Sequence, residues 1–135
     1  MLIGELAAGA GLSAKAIRFY EEAGLMPEPP RTRGGYRDYP PTAAGRLAFI
    51  RQAQAAGFTL AEIRGILRVR DGGQPPCRHV TGLISEHLTQ VDARIAELTR
   101  TRAALARLRD RAAATEPADC AEPDICSILT GDKPA

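Results

Sequence analysis

Apolar residues in the first part of the chain recur in short bursts at helical spacing, each closed by glycine or proline. Ile3, Leu6 and Ala7 form the first burst, and Gly11-Leu12 supplies a turn. Ser13 is placed to N-cap a second helix that turns Ile17 inward, carries Lys15, Arg18 and Tyr20 largely outward, and ends at Gly24. Pro27, Pro29 and Pro30 stop further helix, and Gly34-Gly35, set among Arg31, Arg33 and Arg37, predicts a tight two-residue hairpin. Pro40-Pro41-Thr42 opens a third helix whose Leu47, Phe49 and Ile50 cover the first two, and Phe19 is read as core with Phe49. Gly57-Phe58 interrupts that helix. Thr59 with Glu62 makes a capping-box pattern for a fourth helix, with Leu60, Ile63, Ile66 and Leu67 as its buried stripe and Arg64, Arg68 and Arg70 on its outer side.

After Asp71-Gly72-Gly73-Gln74-Pro75-Pro76, which cannot continue a helix, the pattern changes. Ile84, Leu88, Val91, Ile95, Leu98 and Leu105 follow alternating steps of four and three, with Arg102 standing where an apolar residue is due. This predicts a coiled-coil seam over about 80–112. A stripe of that length most simply buries itself against a second copy of the chain, the alternative being that it folds back on the N-terminal domain. The expected division is therefore a DNA-binding winged helix-turn-helix over 1–70, a hinge over 71–79, a dimerisation helix over 80–112 and a loop with a tail over 113–135. The expected fold class is all-α with a small β-wing.

Composition sharpens this division. All six aromatic residues of the 135 lie at or before Phe58, so the second part has little with which to build an independent core. Residues 1–70 carry ten Lys/Arg against six Asp/Glu, net +4, and residues 71–135 carry eight against ten, net −2, which together give the chain's +2. The basic end is the one suited to nucleic acid. Short helices joined by a glycine turn can lay one helix in a major groove, and arginines interleaved with Tyr36 and Tyr39 on a hairpin suit phosphate and sugar. No apolar run approaches membrane-spanning length and no secretory leader is seen, which leads to the expectation of a cytoplasmic protein with no membrane partner. An enzyme is disfavoured: there is no phosphate loop, no nucleophile stands beside a base, and both histidines fall on or beside the long helix.

Three cysteines remain. Cys77 directly precedes the long helix, and Cys120 and Cys126 follow it, at opposite ends of a rod of roughly 45 Å. In an antiparallel dimer Cys77 of one chain would meet Cys120 and Cys126 of the other, giving two symmetric three-thiolate sites. Thiolates select soft or borderline ions such as Hg(II), Zn(II), Cd(II), Pb(II) or Cu(I). His79 is a possible fourth ligand or a surface residue at the helix start. Asp119, Glu122 and Asp124 surround Cys120 with negative charge, which favours a cation there over a free thiolate.

The stretches IGELAAGAGLSAKAIRFYEEAGLMPEP, RGGYRDYP, FIRQAQAAGFTLAEI, CRHV and CSIL, in this order, resemble the MerR family of transcriptional regulators over nearly the whole chain. The resemblance implies a homodimer on a pseudo-palindromic operator in double-stranded DNA, repressing without metal and activating with it. Metal binding would distort the DNA so that RNA polymerase engages the promoter. The family's DNA contacts map onto Arg18, Tyr20, Tyr36 and Arg37, with Lys15 and Arg33. Cys77 matches the dimer-helix cysteine of the zinc, cadmium, lead and mercury sensors, where copper(I) sensors usually carry serine. Cys126 before Ser-Ile-Leu matches the last loop cysteine, whereas the first usually sits where this chain has Ala112. The implied effector is a divalent thiophilic ion, Hg, Zn, Cd or Pb. Three thiolates suit trigonal Hg(II) or Pb(II), and recruitment of His79 or Asp119 suits tetrahedral Zn(II). The rival reading is a regulator of the same architecture that responds to oxidants, electrophiles or Cu(I).

Overall fold

The computed structural model describes residues 1–120 and 125–130, apart from the side chain of Asp119. Six helices follow one another: α1 (Ile3–Ala10), α2 (Ala14–Glu22), α3 (Thr42–Ala55), α4 (Leu60–Asp71), α5 (Cys77–Ala114) and α6 (Ser127–Thr130), with one 3-10 turn at Pro117–Asp119. The chain divides into two compact units, Met1–Leu83 and Ile84–Ala135. No helix among the described residues is long and apolar enough to cross a membrane.

In the first unit α1 packs on α2 and α3, and α3 on α4. Their apolar stripes converge on Leu6, Ile17, Leu25, Leu47, Ile50 and Ile63, all essentially without solvent contact. The expected boundaries hold where local chemistry dictates them. The Ser13 hydroxyl accepts from the Ala16 amide at 3.1 Å, and Thr59 and Glu62 exchange their capping-box bonds at 2.9 and 3.1 Å. Gly11, Gly24 and Gly57 take the positive φ values that end α1, α2 and α3.

Arginines finish what glycine begins. The last carbonyls of a helix lack intrahelical donors and sit at the negative end of its dipole. Arg51 donates to Ala10 O at 2.9 Å at the end of α1 and Arg64 Nε to Ala23 O at 2.9 Å at the C-cap of α2, while Arg46 Nε donates to Leu25 O at 2.7 Å in the turn that follows α2. Arg46 also forks onto both oxygens of Asp71 at 2.8 and 3.1 Å, which holds that carboxyl below its ordinary range despite the opposing effect of burial. The expectation that Arg64 stands outward is thus corrected: its Nε is needed at a helix end. Arg68 and Arg70 are exposed, as expected.

Three further expectations change. The wing is not a pair of strands; among the described residues it contributes one isolated antiparallel bridge, Arg31 with Arg37. Nor is the hairpin a two-residue turn. Thr32 N donates to Tyr36 O at 2.7 Å and Gly35 N to Thr32 O at 3.0 Å, so three residues connect the arms and only Gly35 takes positive φ, at 84°. The long helix, finally, begins at Cys77 rather than near Val80 and ends at Ala114, which confines the non-helical joint to 72–76. Proline is tolerated just before a helix's first turn, and the Pro76 carbonyl accepts from Val80 N at 2.9 Å, so the helix starts immediately after the prolines.

In the second unit none of the described residues is buried. The stripe residues Ile84, Leu88, Val91, Ile95, Leu98 and Leu105 stand between 46% and 59% exposed in the single chain. Arg111 donates to Ile128 O at 2.8 Å, which fixes α6 against the C-terminal end of α5.

Candidate nucleic-acid interface and thiol sites

Lys15 and Arg18 project from α2 into solvent, as their spacing predicts. Arg18 shares a groove of about 500 Å³ with Arg31, Arg37, Tyr36, Gly35 and the residues that open α1, Leu2 to Glu5. Three arginines line one concavity together with the start of α1, whose Leu2 amide is capped by Glu5 at 3.4 Å, and the guanidinium groups suit phosphate oxygens. Tyr36 is 67% exposed on the wing, and its ring lies 3.3 Å from where a Cβ on Gly34 would stand, so glycine gives the ring room to lie across the turn. Arg33 is exposed but does not line the groove, whereas Arg31, held by its own bond to Gly35 O at 3.1 Å, does. Arg31 flanks the same hairpin in sequence. Its place in the groove beside Arg18 shows which of the two neighbouring arginines turns toward α2.

The two aromatic neighbours on α2 exchange the places expected of them. Tyr20 is 8% exposed and its hydroxyl donates to Gln54 Oε1 at 2.8 Å across to α3, so the outward position expected of it is corrected. Phe19, read as core, is 49% exposed and tilts against Tyr20 with ring centroids 5.7 Å apart. Helical spacing accounts for this arrangement, since Tyr20 stands three residues from Ile17 and shares its face, while Phe19, two residues away, lies on the other side. The buried hydroxyl finds its polar partner in Gln54.

Arg37 is half-buried, with its Nε on Glu21 Oε2 at 3.2 Å. The other oxygen of Glu21 accepts the Tyr39 hydroxyl at 2.6 Å. Tyr39 is buried, and burial first, then the hydrogen bond to Glu21 and its charge, push the phenol well above its ordinary pKa.

Cys77, the first residue of α5, is exposed, and its carbonyl accepts the Thr81 hydroxyl at 2.8 Å. In the second unit Cys120 and Cys126 are both half-buried, and the Ser127 amide donates to Cys120 Sγ at 3.3 Å. The sulfur of the first loop cysteine is therefore folded back onto the residue that follows the second. The same sulfur lies 4.0 Å from Ile125 O. Glu122, Asp124 and the tail after Thr130 lie outside the described residues, as does the Asp119 side chain. Among the described residues of one protomer, no three His, Cys, Asp or Glu side chains converge as a metal site. His79 lies with its Nε2 3.4 Å from where a Cβ on Gly65 would be, packed against α4.

The sequence matches the profile described as MerR HTH family regulatory protein over residues 1–69, and that described as MerR, DNA binding over residues 44–108. It is 40% identical over 128 residues to the HTH-type transcriptional regulator ZntR of Escherichia coli, covering 94% of this chain and 88% of that one. It is 39% identical over 109 residues to a mercuric resistance operon regulatory protein of Bacillus cereus, covering 81% and 83%. The fold is similar, at a TM-score of 0.74 and 36% identity, to a transcription regulator of Ralstonia metallidurans crystallised in complex with lead(II), over 96% of this chain and 97% of that one.

Proposed function

From the premise that this chain belongs to the MerR family of helix-turn-helix regulatory proteins, we propose that it is a metal-responsive transcription regulator working as a homodimer on operator DNA. The observation that carries the metal half is the thiol set. Cys120 and Cys126 are drawn into one loop by the Ser127 N–H···S bond, and Cys77 stands exposed at the head of the helix that bears the uncovered stripe. Pairing that stripe in antiparallel fashion brings Cys77 of the partner subunit to Cys120 and Cys126. The resulting donor set fits a divalent thiophilic ion, Hg, Zn, Cd or Pb, and the resemblance to a mercuric resistance regulator and to a lead(II)-bound regulator supports that choice. His79, turned toward Gly65, serves the joint between α4 and α5 in this reading rather than the ion.

The DNA half rests on the basic groove. Arg18, Arg31, Arg37 and Tyr36 take phosphates while α2 lies in the major groove, with Lys15 and Arg33 as outlying charges and Tyr20 as a brace behind α2. Two such units in one dimer span an operator with two-fold symmetry. A ligand bridging both protomers can favour one of two dimer arrangements, and with it one shape of the bound DNA. The proposed outcome is repression without metal, and activation with it through a distorted promoter that RNA polymerase engages.

The test is an anaerobic titration of the reduced protein with Hg(II), Pb(II), Cd(II) and Zn(II), following thiolate charge-transfer absorption, alongside DNA binding and transcription in vitro. One ion per subunit, lost in Cys77→Ser together with induction while operator affinity stays within about twofold, is expected. Loss of operator binding in that variant, or no ion held more tightly than by a loose surface thiol, would overturn the reading.

A further inference from the structure

Glu21 is an acid paired with an arginine of the groove that Arg18, Arg31 and Arg37 line. Its side chain is 9% exposed, and both oxygens are occupied: one accepts Arg37 Nε at 3.2 Å, the other the Tyr39 hydroxyl at 2.6 Å. Arg37 forms one half of the wing's single backbone bridge, and buried Tyr39 follows where the outgoing arm rejoins the core. A hairpin with one bridge has almost no stiffness of its own. Its orientation is set from outside: Tyr39 N donates to Met1 O at 2.7 Å and the Met1 ammonium to Asp38 Oδ1 at 2.9 Å, which hold the outgoing arm to the N-terminus, and Glu21 binds two residues of the same arm to α2. The bond to Nε leaves Arg37's terminal nitrogens without a partner among the described residues, in the groove that Arg37 shares with Arg18.

We propose that Glu21 is the positioning residue of the DNA interface: it sets the wing against α2 so that Arg18 and Arg37 meet duplex phosphates at a fixed separation. The inference rests on the DNA-binding reading above and adds a counter-intuitive consequence. Simple charge arithmetic says that removing an acid beside a phosphate-binding groove strengthens binding. Positioning says the opposite, because an Arg37 that must be ordered anew at each encounter loses part of its binding energy.

The experiment is a double-mutant cycle on the full-length protein, with a duplex selected by the wild type from a randomised pool and affinity measured across salt concentrations. Glu21→Gln and Arg37→Ala are each expected to weaken binding about tenfold and to reduce the salt slope by about one, and the double variant to bind no more weakly than Arg37→Ala alone. Equal or tighter binding by Glu21→Gln, or losses that multiply in the double variant, would overturn the proposal. Should Glu21→Gln unfold at assay temperature, Tyr39→Phe replaces it, removing one donor to Glu21 and no charge. A several-fold loss that disappears in the Arg37→Ala background is then expected, and wild-type affinity counts against the idea. Arg18→Ala separates the two layers. If it binds DNA like the wild type, the DNA face itself is misassigned; if it is weak while Glu21→Gln is not, only the positioning role fails.

Discussion

In Met1–Leu83, side chains such as Leu47, Ile50 and Ile63 are wholly enclosed by their own chain, whereas among the described residues of Ile84–Ala135 none is buried and six apolar side chains of α5 stand half exposed. The same amount of helix-periodic patterning thus yields a finished core in one unit and an open stripe in the other. The difference lies in chain economy: four short helices with glycine turns can fold back on one another, while the stripe of the 38-residue α5 is left uncovered by its own chain among the described residues. The first unit specifies a structure. The second specifies a partner.

The sharpest way to break that contrast is to put a charge in the stripe. Ile95→Asp is expected to abolish dimerisation in sedimentation velocity at micromolar protein, since an unpaired carboxylate on each strand of a seam costs several kcal/mol, while the first unit keeps its near-native unfolding. A persistent dimer would mean that α5 is not the interface. Next in size, Ile63→Ala should lower the stability of the first unit by about 3 kcal/mol in urea unfolding, independently of protein concentration. A concentration-dependent loss would show that this core, too, is completed by a second chain. Removing an arginine clasp by Arg64→Met should cost about 1.5 kcal/mol, because Ala23 O loses a charged donor; no change would mean water substitutes freely. Thr59→Ala should cost about 1 kcal/mol by the same measurement.

The smallest expected effect is in acid. Asp71 has a folded pKa below its ordinary value, so its contribution is present above the ordinary carboxylate range and lost as pH falls through the depressed folded value. Asp71→Asn should therefore lower stability slightly at neutral pH, flatten the acid limb, and converge with the wild type once pH falls below the depressed folded value. Equal stability of the two proteins at neutral pH, with the same acid slope, would show that the solvent-exposed fork to Arg46 carries no linkage.

Much of this was legible in the sequence, for reasons that are local. Ser13, Thr59 with Glu62, and the glycines after each short helix act within three or four residues of themselves, so spacing announces them. The α5 stripe was equally plain because its period repeats. What spacing could not reveal depends on distant partners. Arg46, Arg51 and Arg64 count toward the basic charge of the first unit, yet each donates to a carbonyl at or just past a helix end, so part of that charge is architectural. The bond that satisfies the Tyr20 hydroxyl comes from Gln54, thirty-four positions away, although the three-residue step from Ile17 already placed Tyr20 on the inner face. Arg31 and Arg33 were told apart only by the groove that Arg31 lines. For the thiols, sequence order suggested a loop around Cys120 and Cys126, and the Ser127 amide bonds the first of them beside the second; the place proposed for Cys77 in that set calls for a second subunit.

The arginine clasps also tie local to distant sequence. Backbone amides close the carbonyl ends of α1 and α2 from within a few residues, Leu12 N on Ala7 O and Leu25 N on Tyr20 O, and Arg51 and Arg64 then add donors from forty-one residues downstream. A chain cut before α4 therefore keeps both caps and loses the donor that α4 brings to Ala23 O.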